Sequence, residues 1–462
     1  MSDWKSLEYF FKPKNAAIIG ASNTEGSVGF TIFKNMKLAL GKNAYPVNPN
    51  HEIVQGAKAF KSIKEISDQI DLAVIVTPSK TVPNILRECV EVNVKAVIIV
   101  SAGFSETGEQ ELTNELKKII SENPQTRVMG PNCVGVKCFE TNVDTTFFAQ
   151  DRMSIPKKGS LSFISQSGAL GSMILDWVSK EEFGISKFAS YGNAIDIDES
   201  DLIEYLCNDK DTKVITLYLE GAKDGKKFFE VAKKTTLKKP ILILKGGKYD
   251  STSQATASHT GSMAGSAKVY EAVFRQAGII NTDGMQDLFN TAKLLEKEKL
   301  PKGKRVQIIT NGGGFGIIMA DHIIHRGMEL AQPSRKTIEE LEKELPGIKI
   351  SNPLDLLGDA DAQRYRIAIK KCLEDKNIDI LVIMCLFTLS PLKPDDIDKM
   401  LKKRRPSKTM VVIAVGGEYT EKRLEKIEKL GYTTFDYPNT AAKSLGHACW
   451  YADYLKRKKA EK

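Results

Sequence analysis

The sequence predicts an α/β protein built from parallel sheets covered on both faces by helices. Three observations predict it. Short apolar runs recur along the chain, each continuous rather than alternating, which is the pattern of strands buried on both sides. Segments of helical periodicity lie between them. Turns rich in glycine and serine follow strands and open helices, as in Gly20-Ala21-Ser22 and Ser165-Gln166-Ser167-Gly168. At 462 residues the chain has room for about three domains of ordinary size.

The first unit runs to about residue 150. Ala16-Ala17-Ile18-Ile19 reads as a strand, and a loop through Gly26 and Gly29 leads to a helix from Phe30. Further strands are expected at 44–47, 72–76, 96–100 and 127–129. A second unit begins after Pro156-Lys157-Lys158-Gly159, with strands at 160–164, 214–219 and 240–244. The Lys/Glu-rich stretch 294–304 reads as a linker helix. The third unit repeats the plan. Residues 304–314 echo 160–168, 380–384 echo 214–219, and 410–417 echo the strand that ends in Lys245-Gly246-Gly247. Self-similarity at this long spacing predicts two flavodoxin-like domains, not a solenoid. The expected division is 1–150, 151–298 and 299–462.

Composition removes several function classes. No stretch approaches the ~20 apolar residues of a membrane span, and the polar start Met1-Ser2-Asp3-Trp4-Lys5 does not read as a signal peptide. Seven scattered cysteines, with no CxxC pair, read as buried thiols of a reducing cytoplasm. The net charge of +9 is spread out. Lys402-Lys403-Arg404-Arg405 and Lys456-Arg457-Lys458-Lys459 have no interleaved aromatics, so they read as solvated surface and not as a nucleic-acid patch. A mildly basic chain does suit a polyanionic small ligand.

The turns carry the chemistry. Gly20 to Gly29 lie between a strand and a helix, where backbone N–H groups and the helix dipole can hold phosphate oxygens. The run is not GxGxxG. At the end of the second strand, Tyr45-Pro46-Val47-Asn48-Pro49-Asn50 offers no carboxylate for a ribose, which argues against NAD. Thr77-Pro78 and Ser101-Ala102-Gly103 follow the third and fourth strands, at the carboxyl ends where open α/β sheets bind ligands. Gly130-Pro131-Asn132-Cys133 is placed to shape the same crevice. Ser165-Gln166-Ser167-Gly168 offers hydroxyls and helix N-terminal N–H groups to a phosphate. Gly312-Gly313-Gly314-Phe315-Gly316 has no hydroxyl and reads as a structural turn.

His259 lies in a run of small residues, 253–265, that leaves its imidazole exposed and mobile. Glu220 ends an apolar strand, where a carboxylate can accept from one imidazole nitrogen and free the other as nucleophile. His322, His325 and His447 form no cluster at metal spacing, so no metal site is expected on this chain. There is no GxSxG, Walker A or HExxH sequence.

In order along the chain, Ile18-Ile19-Gly20-Ala21-Ser22, Tyr45-Pro46-Val47-Asn48-Pro49, Gly130-Pro131-Asn132, Ile164-Ser165-Gln166-Ser167-Gly168 and Ser258-His259-Thr260-Gly261 resemble the alpha subunits of the NDP-forming acyl-CoA synthetase superfamily, to which succinyl-CoA synthetase belongs. Within it the resemblance is to the ADP-forming acetyl-CoA synthetases. It implies a Rossmann-like CoA-binding domain followed by two flavodoxin-like ligase domains. It implies that His259 is phosphorylated in turnover with support from Glu220. Coenzyme A would be held by Gly20, Ser22, Ser27, Val28, Gly29, Asn48, Thr77, Pro78, Ser101, Ala102 and Gly103. Phosphate would be held by Asn132, Ser165, Gln166, Ser167, Gly168 and Gly261. Succinyl-CoA synthetases carry a lysine for the CoA phosphate where this chain has Asn48 or Asn50. Three α/β units leave no room for an ATP-grasp module, so the resemblance implies a separate ATP-grasp beta subunit in an α2β2 assembly, bringing ADP/ATP and Mg²⁺. The rival expectations are an NAD(P)-dependent oxidoreductase and a non-catalytic CoA-binding regulator.

Overall fold

The computed structural model describes residues 4–148, 152–179, 184–248, 267–389, 391–393, 396, 400, 401 and 407–461. They pack as two compact units, Met1–Asp283 and Gly284–Lys462.

Unit 1 contains two main sheets. Strands β1 (Ala16–Ile19), β2 (Ala44–Val47), β5 (Leu72–Ile75), β6 (Ala96–Ile99) and β7 (Arg127–Met129) form a parallel sheet in the order β2-β1-β5-β6-β7. Two short strands between them, β3 (Ile53–Val54) and β4 (Ala57–Lys58), pair only with each other. All four residues of β1, β5 and β6 are buried, as a sheet covered on both faces requires. The second sheet comprises β8 (Gly135–Cys138), β9 (Lys158–Ser165), β10 (Ile185–Ser190), β11 (Val214–Leu219), β12 (Ile241–Lys245) and β13 (Ile280–Thr282). Its order is β13-β12-β11-β9-β10-β8, parallel except for β8, which runs antiparallel to β10. Although β8 precedes residue 150, it is an edge of this second sheet.

Unit 2 holds the third sheet, from β14 (Arg305–Thr310), β15 (Glu329–Leu330), β16 (Leu354–Asp355), β17 (Ile380–Met384), β18 (Thr409–Ile413) and β19 (Thr433–Phe435). The order is β15-β14-β17-β18-β19, with β16 on the upper part of β14. The helix Met285–Lys297 packs in this unit, through Thr291 Oγ1 to Ser444 Oγ at 3.3 Å and Lys293 Nζ to Glu428 Oε1 at 2.8 Å. Counted within each sheet, with β16 set aside, the parallel strands lie in the order 2-1-3-4-5 all three times. In that order the connections leave the first strand in opposite directions, so a crevice opens at the carboxyl ends of strands 1 and 3.

Two expected elements start elsewhere. The first long helix, α2 (Val28–Leu40), begins two residues before Phe30 because the Ser27 side chain caps it, accepting from Phe30 N at 3.3 Å. The first strand of the second unit extends to Lys158–Ser165. The seven cysteines are buried. Among the described residues no helix is long and apolar enough to cross a membrane.

Candidate active site

The first crevice lies where β1 and β5 end. Gly20 has φ +96°, open to glycine, and a side chain at Gly29 would run into the Gly20 carbonyl oxygen. The start of α2 therefore sits directly on the turn, which brings its N-terminus to the crevice. Ser22 Oγ accepts from Thr24 N at 2.9 Å. Asn48 Nδ2 donates to Ala21 O at 2.8 Å, and Asn48 Oδ1 accepts from Asn50 N. Asn48 thus shapes this turn from the end of β2. Ser101 Oγ donates to Thr77 O at 2.5 Å, tying the two loops after β5 and β6. Gly103 N donates to Glu106 Oε1 at 2.7 Å. Burial opposes ionisation of Glu106, but bonds from Gly103 N, Phe104 N and Asn193 hold its carboxyl below the ordinary value. Val28, Pro78 and Ala102 are exposed at the rim. Gly20, Ser22, Ser27, Asn48, Thr77, Pro78, Ser101, Ala102 and Gly103 therefore lie on four adjoining loops, with Val28 and Gly29 in the first turn of α2.

A short segment leads from this crevice to the next. Asn132 N donates to Ser101 O at 2.9 Å, and its Nδ2 to Asn193 Oδ1 at 3.3 Å. Two residues on, Val134 N donates to Ser190 Oγ at 3.3 Å, and the Val134 side chain fills the space beside Gly168.

The second crevice lies where β9 and β11 end. Ser165 Oγ donates to Ser167 O at 2.6 Å, and Ser167 caps helix α5 (Gly168–Val178). The buried Gln166 accepts with one oxygen from Glu220 N at 2.8 Å and Gly221 N at 3.2 Å. Glu220 is 8% exposed, and the Tyr218 hydroxyl donates to its Oε1 at 3.3 Å. Burial and then the Glu220 charge push the Tyr218 phenol up to about 12. Sequence reasoning missed Lys245 at the end of β12. Its Nζ donates to Glu220 O at 2.6 Å and lies 4.7 Å from the centre of the Tyr270 ring, and burial lowers its pKa. The signal was in the sequence, since Lys245 is a lone cation closing an apolar run. Tyr270, also missed, reads as an ordinary helix residue. His259 and Gly261 lie outside the described residues.

Of the other histidines, His51 lies exposed in unit 1, in the loop after β2, and the remaining three fall in unit 2. His322 and His325 lie on the helix Gly313–His325, and His447 Nε2 is 3.3 Å from Asp287 Oδ1 on a neighbouring helix. Among the described residues no group of three or more His, Cys, Asp or Glu is placed to hold a metal ion.

A CoA-binding domain family matches residues 14–138, and the succinyl-CoA ligase-like flavodoxin domain family matches residues 158–295. The chain is 44% identical to the alpha subunit of ADP-forming acetate–CoA ligase II of Pyrococcus furiosus, with 94% of this chain and 96% of that one covered. It is 37% identical to the alpha subunit of ligase I of the same organism, covering 95% and 96%. An ADP-forming acetate–CoA ligase of Methanocaldococcus jannaschii is 45% identical over 77% of this chain and 49% of its own length. Among solved structures, acetyl-coenzyme A synthetase 1 of Ca. Korarchaeum cryptofilum, in complex with phosphate and ADP, aligns with a TM-score of 0.90 at 32% identity and 98% coverage of both chains. These findings leave no support for the oxidoreductase and regulator alternatives, and Asn48, engaged with Ala21 O, stands where a dinucleotide site needs a carboxylate. Because the matches to both Pyrococcus subunits run nearly the whole length of each chain, this protein belongs to the alpha subunits of the ADP-forming acetate–CoA ligases.

Proposed function

We propose that this chain converts acyl-CoA, ADP and phosphate to a free acid, ATP and CoA, with acetyl-CoA as the reference substrate, in complex with a separate ATP-grasp subunit. The observation that carries the reading is two switch-point crevices in one compact unit, joined by the Asn132–Val134 path, the second containing the buried Glu220.

In this reading CoA lies along the first crevice, its phosphates at the α2 N-terminus beside Gly20 and Ser27. Inorganic phosphate sits at the N-terminus of α5, near the Ser165–Gly168 turn. A phosphate oxygen attacks the thioester carbonyl, the C–S bond breaks, and CoA leaves as thiolate. A neutral His259 nitrogen then attacks phosphorus, and the P–O bond to the acyl group breaks to release carboxylate. Glu220 accepts the imidazole N–H and offsets the positive charge that grows on the ring. A terminal ADP oxygen finally takes the phosphoryl group from His259. The small-residue run 253–265 suits a histidine that serves two sites.

The separate subunit explains the coverage. The relatives called alpha subunits are matched over 96% of their length, whereas this chain spans 49% of the longer M. jannaschii ligase. ADP, ATP and Mg²⁺ then belong to the partner, in an α2β2 assembly in the cytoplasm. The test is turnover of acetyl-CoA, ADP and phosphate by the purified chain with and without an ATP-grasp subunit. ATP formation only in the mixture is expected; ATP formation by the chain alone overturns the partner reading. Titration with CoA and with NADH checks the first crevice, and binding of CoA alone is expected.

A further inference from the structure

The turn that follows β11 is held by side chains from three different elements. Four successive backbone N–H groups are taken in order. Glu220 N and Gly221 N donate to Gln166 Oε1, Ala222 N donates to the Tyr270 hydroxyl at 2.9 Å, and Lys223 N donates to Glu199 Oε1 at 3.2 Å. Gln166 comes from the turn after β9. Tyr270 comes from the helix Ala267–Ala277, and Glu199 is the first residue of helix α6 (Glu199–Asn208). Gln166 and Tyr270 meet ordinary needs with neutral groups. Glu199 is a carboxyl group with 0% exposure, where an amide would make the same bond. Its other oxygen and the Tyr191 hydroxyl have no partner at hydrogen-bonding geometry among the described residues.

We propose that Glu199 is a positioning residue for Glu220: by accepting from Lys223 N–H it fixes the far end of the turn whose first residue is Glu220. The proposal rests on the reading that Glu220 supports the phosphorylated His259. The groups around Glu199 are Asp198 beside it, Tyr191 from the loop after β10, Lys223 on the turn itself, Lys227 from helix α7 (Gly225–Thr235), and Tyr270. The Lys227 ammonium is engaged by Asp198 Oδ2 at 3.0 Å and Asp201 Oδ2 at 2.9 Å, which leaves it little to offer Glu199. Tyr191 feels the charges of both Glu199 and Glu220, so the two carboxyl groups share one buried neighbourhood. Burial and then Asp198 push the Glu199 carboxyl up to about 7. Protonated, it holds Lys223 N–H without a second charge close to Glu220. Ionised, it keeps the bond but adds that charge to the neighbourhood it shares with Glu220.

The test compares E199A, E199Q and E220Q in the complete enzyme, reading kcat, KM for acetyl-CoA, the melting temperature and the pH profile from 6 to 8.5. E199A is expected to lower kcat about tenfold or more with KM unchanged, as loss of an orienting contact does. The parent is expected to lose kcat as pH rises past neutrality, and E199Q, which keeps the acceptor, is expected to recover most of the E199A loss and to lack that fall. If E220Q is inactive but E199A and E199Q both match the parent, the positioning role is wrong. Equal losses in E199A and E199Q with lowered melting temperatures and an unaltered pH profile make Glu199 a packing residue and also overturn the proposal. An E220Q enzyme with full activity overturns the role of Glu220 itself and the positioning role with it.

Discussion

The second and third sheets share the order of their five main strands and nearly the same turn at the switch point, yet the residue that meets the turn from the end of the third strand is a glutamate in one and a leucine in the other. At the end of the first strand, Ser165 Oγ donates to Ser167 O, and Thr310 Oγ1 donates to Gly312 O at 3.2 Å. The next side chain reaches across to the third strand. Gln166 accepts from Glu220 N and Gly221 N, while Asn311 accepts from Leu386 N at 2.9 Å and donates to Leu386 O at 3.3 Å. Leu386 thus stands where Glu220 stands. Ser167 caps its helix with a hydroxyl; Gly312 caps without one, because a side chain there would run into Leu386. The amide clamp is therefore a packing device common to both sheets. The Ser167 hydroxyl, a carboxylate at the end of the third strand and Lys245 are what the second sheet adds, whereas the carboxylate beside the third sheet's turn, Asp355, comes from β16.

The comparison breaks first at its acids and amides. Glu220→Ala is expected to cut phosphoenzyme formation by about 10²-fold or more, the scale of a lost catalytic proton partner, while leaving CoA affinity unchanged in titration. Leu386→Ala, at the matching place, is expected to leave phosphoenzyme formation at the parental rate. Asn311→Ala leaves the half-buried Leu386 N–H without its acceptor and is expected to cost about 1 kcal/mol in denaturant unfolding of unit 2, again without loss of labelling. Equal losses of labelling from Glu220→Ala and Asn311→Ala would end the distinction between the two turns.

A subtler test uses pH. The folded Glu199 carboxyl titrates at about 7 against an ordinary value of 4.5. Between those values the unfolded chain releases this proton while the folded chain keeps it, so the contribution of Glu199 to stability falls as pH rises from about 4.5 to about 7 and is constant on either side. E199Q should remove that fall, a difference of no more than a few kcal/mol, seen as a smaller drop in unfolding free energy between pH 5 and 7.5. The smallest expected effect is at the cap: Ser167→Ala should lower stability by about 1 kcal/mol and weaken phosphate binding modestly, with no third-sheet counterpart to mutate.

Much of this was legible in the sequence. Runs such as Ala16-Ala17-Ile18-Ile19 and Ile380-Leu381-Val382-Ile383-Met384 show their strands because both faces are buried and nothing polar interrupts them. The strand Ile185–Ser190 escaped notice because it carries Lys187 and two serines; Lys187 is 1% exposed and pairs with Asp209 at 2.7 Å, a compensation that no local pattern reveals. At the site, Gln166 and Glu220 were visible because they end apolar strands. Glu199 was not, because Asp198-Glu199-Ser200-Asp201 reads as an acidic helix start facing water. Its burial comes from the turn after β11, which is distant in sequence. Asn48 was expected at the ligand; what the structure shows is its bond to Ala21 O, which shapes the turn.

The most direct measurement of the central claim is transfer of label from radioactive phosphate to the chain. The complete enzyme is incubated with acetyl-CoA and labelled phosphate, without nucleotide, and compared with His259→Ala. Acid-labile, base-stable label that appears only with acetyl-CoA and vanishes in His259→Ala is the predicted result. Label that persists in His259→Ala, or none at all from an enzyme that binds CoA, contradicts a phosphoryl relay through the second-sheet crevice.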